Sequence, residues 1–130
     1  MNLYLDIDGV LLDKNNNPAN HLEEFLAYAT ENFDCHWLTT HCKGDAAFAV
    51  ERFREVGSAR ILELVKKIKP TDWERFKTDA IDFNKPFIWL DDYPGLKEEQ
   101  TLEEKSYRKN LIKIDLKSNP DILKELMGKS

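Results

Sequence analysis

The feature that most constrains this chain is a short apolar run that stops at two acids. Leu3-Tyr4-Leu5 is followed at once by Asp6-Ile7-Asp8-Gly9. A short apolar run bounded by a turn residue reads as a buried strand. Side chains alternate along a strand, so Asp6 and Asp8 are expected on one face, where the strand ends and the backbone turns at Gly9. A second run, Phe87-Ile88-Trp89-Leu90, ends in Asp91-Asp92. For either motif alone, a solvated turn is an adequate reading, because Asp and Gly are common turn residues. The repetition favours function: open α/β sheets place their chemistry at the carboxyl ends of strands.

A chain of 130 residues predicts one domain, with room to bury a core without disulfides or metal staples. No apolar run is long enough to span a bilayer. The amino terminus carries no basic leader, and the two acids interrupt its apolar run, so no signal peptide is expected and the cytoplasm is the expected location. Cys35 and Cys42 fit neither a redox pair nor a zinc ligand set and read as reduced packing residues. His41 beside Cys42 reads as structural as well.

The net charge of −5 is uneven. Residues 1–65 hold 5 Lys and Arg against 11 Asp and Glu, whereas residues 66–130 hold 14 against 13. The excess acid lies with Asp6 and Asp8, which suits a divalent cation and argues against a nucleic-acid groove. No basic and aromatic stripe is present, and Trp37, Phe87, Trp89 and Tyr93 read as packing residues.

Strands are expected at residues 2–7, 35–39, 87–90 and 111–116. Leu22, Phe25, Leu26, Ala29 and Phe33 fall at helical spacing, with Pro18 suited to a first turn. Ala46, Ala49, Val50 and Phe53 form a second stripe ended by Gly57. Ile61, Leu64, Val65 and Ile68 form a third, ended by Pro70. Further helices are expected at 75–81, 98–107 and 122–127, the last with Asn119 as cap, Pro120 opening it and Gly128 ending it. Alternating strands and helices predict an α/β fold with a parallel sheet covered on both faces. A fifth strand has no clear signal between Val56 and Trp73 and would lie hidden in the third helical stripe.

These residues resemble the haloacid dehalogenase superfamily of phosphohydrolases. Leu5-Asp6-Ile7-Asp8-Gly9-Val10 is similar to its first motif, Trp37-Leu38-Thr39-Thr40 to its second and Trp89-Leu90-Asp91-Asp92 to its fourth, in order across the core of the chain. The resemblance implies a Rossmann-like three-layer sandwich with a mostly parallel sheet. Residues 1–130 would form a single domain without a sizeable cap, since the intervals from Asp13 to Cys35 and from Thr40 to Lys77 are short. It implies a phosphatase in which Asp6 attacks phosphorus to form an aspartyl-phosphate and Asp8 acts as general acid and then base. Dehalogenating relatives lack the second aspartate, so Asp8 favours a phosphoryl substrate.

The implied cofactor is Mg2+, held by the Asp6 and Asp91 carboxylates and the Asp8 backbone carbonyl, with Asp92 as a further ligand. Thr39 would bind a phosphate oxygen, with Thr40 as fallback. The third motif needs a lysine ahead of the 87–90 strand. Lys85 would sit at the wrong end of that strand, Lys69 precedes Pro70 in unassigned structure, and Lys77 opens a helical segment feeding the strand. Lys77 is the choice, with Lys69 and Lys85 still open. The partner is a phosphorylated small molecule or macromolecule, neither membrane nor nucleic acid, with the site open or covered by a second subunit of a homo-oligomer. The alternative is a non-catalytic phosphate- or metal-binding module that kept the fold.

Overall fold

The computed structural model describes residues 1–40 and 42–128. Strand β1 (Asn2–Leu5) is buried along its whole length. It pairs in parallel with β2 (Asp34–Trp37) on one side and β3 (Phe87–Asp91) on the other, and β3 pairs in parallel with β4 (Leu111–Lys113). The sheet order is therefore β2-β1-β3-β4. A strand covered on both faces has no solvent side, which is why β1 and β3 read as continuous apolar runs.

Five α-helices are described: α1 (Leu22–Asn32), α2 (Ala47–Glu51), α3 (Ala59–Val65), α4 (Leu96–Glu104) and α5 (Ile122–Leu126). Leu3, Leu5 and Leu90 share one core with Phe25 and Leu26 of α1, Leu64 and Val65 of α3 and Leu123 of α5. Tyr4, Phe87 and Trp89 pack on the opposite face with Leu102 of α4, Trp73 and Ile81. The architecture is α/β with an all-parallel sheet and helices on both faces, compatible with a Rossmann-like fold. Alternation along β1 and β3 puts Tyr4 and Trp89 on the α4 side, so Asp6 and Asp91, two residues further on, start toward that same side.

The missing strand is a single rung. His36 forms a parallel bridge with Lys69. The Trp37 N–H donates to the Lys69 carbonyl at 2.8 Å, and the Lys69 N–H donates to the Cys35 carbonyl at 2.9 Å. Pro70 follows and has no N–H with which to extend the ladder. With this rung counted, strand order reverses direction at β1, as in doubly wound sheets.

Several expected boundaries differ. The first strand stops at Leu5 because the Ile7 carbonyl accepts N–H bonds from Val10, Leu11 and Leu12, turning the chain there. Pro18 does not open α1; it lies in an antiparallel bridge with Leu12, and α1 starts behind His21 at φ 65°. Residues 75–81 form only a 3-10 turn at Lys77–Ala80. Helix α4 begins at Leu96 and ends at Glu104, and α5 is preceded by Asp121 rather than by an Asn119 cap. His41 lies outside the described residues. Cys35 and Cys42 are buried and unpaired, and burial pushes the Cys35 thiol up to about 12 and raises Cys42, so neither is an activated nucleophile. Among the described residues, no helix is long and apolar enough to cross a membrane.

Candidate active site

Asp6 leaves the end of β1 only 8% exposed, and Asp91, the last residue of β3, is fully buried. Each carboxylate is pinned by its own turn: the Ile7 N–H donates to Asp6 Oδ1 at 2.8 Å, and the Tyr93 N–H donates to Asp91 Oδ1 at 3.0 Å. The buried Lys77 joins them. Its Nζ donates to Asp91 Oδ2 at 2.7 Å and to Asp6 Oδ2 at 3.2 Å. Lys69 instead pairs with Asp34 at 2.7 Å, and the exposed Lys85 precedes β3 at the far end of the strand.

Lys77 is placed by a residue the sequence reading overlooked. Glu98, buried in the first turn of α4, accepts the Lys77 N–H at 2.5 Å through Oε2 and the Gly95 N–H at 2.8 Å through Oε1. One carboxylate thus ties the lysine turn to the loop that follows Asp91 and Asp92. Its position three residues after Gly95 is that of a capping-box acid, the one local signal that marks it.

Asp92 completes the acid cluster: Asp6, Asp91 and Asp92 each offer a carboxylate oxygen within 4.8 Å of one another. Gly9 makes the approach of Asp92 feasible. Its φ of +80° is a left-handed conformation, and a Cβ there would collide with the Asp92 carboxyl group. Three carboxylates against the single ammonium of Lys77 leave negative charge uncompensated in a mostly buried place. The donors are all oxygen, with no thiolate or imidazole in the group, which fits a hard divalent cation.

The electrostatics carry the same imbalance. Burial and the neighbouring Asp91 charge raise Asp6 to about 6, against the opposing pull of Lys77, the Ile7 N–H and the Thr39 hydroxyl. Burial and Asp91 also raise Asp92. Burial pulls Lys77 down, but the Asp6 and Asp91 charges outweigh it and hold the ammonium above its usual value.

Asp6 stays buried, whereas Asp8, at the turn into Gly9, has a side chain 52% exposed. Its Oδ1 accepts from Arg52, whose same Nη2 donates to Asn16 Oδ1 at 3.0 Å. Arg52 follows α2, 44 positions from Asp8, and no local motif marks it. Thr39 is buried and bonds the Asp6 carboxylate through its side chain, whereas Thr40 is exposed. The arrangement sets a buried carboxylate beside an ammonium, with a solvent-facing carboxylate, nearby in sequence, paired to an arginine. No family model, curated protein or solved structure matches the chain.

Proposed function

We propose that the protein is a phosphomonoester hydrolase of the haloacid dehalogenase type, in keeping with the motif resemblance. The observation that carries this reading is the Lys77 ammonium bridging Asp6 and Asp91 at the ends of adjacent parallel strands. A phosphoryl group is dianionic, so a carboxylate attacks it only where cationic charge and donors are already in place. Lys77 and the Thr39 hydroxyl stand beside Asp6 for that purpose. Mg2+ is the cation we assign, held by the Asp6, Asp91 and Asp92 carboxylates with the Asp8 carbonyl. Bound there, it supplies positive charge against the phosphoryl oxygens.

Asp6 attacks phosphorus as the bond to the leaving oxygen breaks, and the Asp8 carboxyl gives that oxygen its proton. Asp8 then takes a proton from water as the water attacks the aspartyl-phosphate, releasing phosphate and regenerating Asp6. The two carboxyls differ in their surroundings: Asp6 is buried and pinned by the Ile7 N–H, whereas Asp8 faces solvent beside Arg52, which also donates to Asn16. Hydrolysis of p-nitrophenyl phosphate tests the proposal. Turnover is expected with Mg2+, absent with EDTA, absent in Asp6→Asn, and about 10²–10⁴-fold slower in Asp8→Asn on an alkyl ester that needs a proton on its leaving group. Turnover retained by Asp6→Asn contradicts the mechanism. Mg2+ binding with no turnover on any phosphoester favours the non-catalytic module instead.

A further inference from the structure

We propose that the substrate's leaving group carries a second anionic group, and that a cleft beside the acid cluster holds it through Lys14 and Lys117. The inference rests on the phosphatase reading for the position of the transferred phosphoryl at Asp6. The cleft measures about 560 Å³ and begins at Gly9 and Asp92, the two residues that meet at the edge of the cluster. From there it follows the chain leaving β4, over the apolar side chains of Ile114 and Leu116. Small-molecule sites span about 300–1,000 Å³, far more than a lone phosphoryl group needs, so this cleft suits the rest of a substrate.

The charges lining it are not equally committed. Lys113 pairs with Glu99 at 2.8 Å. Asp13 Oδ1 accepts the N–H groups of Asn15 and Asn17 at 2.8 and 3.0 Å. Asp115 accepts the N–H groups of Lys117 and Ser118 at 3.1 and 3.3 Å and the Ser118 hydroxyl at 2.8 Å. Asp92 belongs to the acid cluster. Among the described residues, no carboxylate lies within 4.0 Å of the Lys14 or Lys117 ammonium. The cleft therefore presents two ammonium groups outside any close ion pair, with Asp115 acting on Lys117 only at longer range, next to an apolar floor. Two cations match one further phosphate or carboxylate on a small molecule, while a net charge of −5 opposes a long polyanion.

The test compares butane-1,4-diol bisphosphate with n-butyl phosphate, whose scissile bonds are alike. Wild-type kcat/KM is expected to favour the bisphosphate by at least about tenfold beyond its statistical factor of two. In Lys14→Gln/Lys117→Gln that preference is expected to fall to the statistical factor. Equal kcat/KM values in the wild type, or a preference kept by the double variant, overturn the inference and leave the phosphatase reading standing. If neither ester is hydrolysed, p-nitrophenyl phosphate turnover still decides the phosphatase reading, and calorimetric binding of the same two compounds decides the cleft. Tighter bisphosphate binding that is lost in the double variant supports it, and equal binding overturns it.

Discussion

Asp6 and Asp91 are buried carboxylates drawn together by one lysine, and the metal-free protein bears a cost for this. The folded-state pKa of Asp6, about 6, lies above its unfolded value near 3.9. Between those values the native state binds more protons, so this group's contribution to stability falls as pH rises from about 4 to about 6. With EDTA present, Asp6→Asn is expected to be more stable than wild type at pH 7 and to lose most of that advantage by pH 4, checked by urea unfolding at both pH values. An advantage that does not depend on pH contradicts the assignment of the raised carboxyl to Asp6. At this scale the sequence was most legible where chemistry follows a strand end, as for Asp6, Asp91 and Asp92. It was least legible where a partner arrives from a distant element. Arg52 reaches Asp8 from the end of α2, and only the fold brings them together.

Short elements carry the site, so their connections matter more than their own propensities. The Lys77–Ala80 turn is 3-10 and too brief to hold itself; the Glu98 carboxylate fastens its first N–H to α4. Glu98→Ala leaves the buried Lys77 N–H and the half-buried Gly95 N–H without that acceptor, at a cost of about 1–3 kcal/mol. Glu98→Gln keeps one acceptor oxygen and is expected to lose about half as much, measured by thermal unfolding. Equal stability for all three proteins contradicts this tie. The strand ladder explains the other miss at this scale. Lys66-Lys67-Ile68-Lys69-Pro70 has no strand pattern, and its one rung beside His36 is imposed by the neighbouring edge of β2.

For the whole molecule, parallel order with a reversal at β1 puts the ends of β1 and β3 side by side, where the acids, Lys77 and Thr39 converge. The class and the strand locations followed from apolar runs alternating with helical stripes. Precise ends did not, because turns such as the one at Ile7 depend on carbonyls that accept several N–H bonds. The convergence leaves uncompensated negative charge, so a divalent cation is expected to stabilise the entire fold by binding its native state alone. Addition of Mg2+ should raise the unfolding midpoint more at pH 7 than at pH 5, since protons compete for Asp6 and Asp92. That dependence should vanish in Asp91→Asn. The central claim is that Asp6 becomes covalently phosphorylated. Borohydride trapping during turnover of p-nitrophenyl phosphate, followed by peptide mass spectrometry, tests it most directly. Reduction of position 6 to homoserine is the expected result, and steady turnover with no modification at Asp6 would contradict the account.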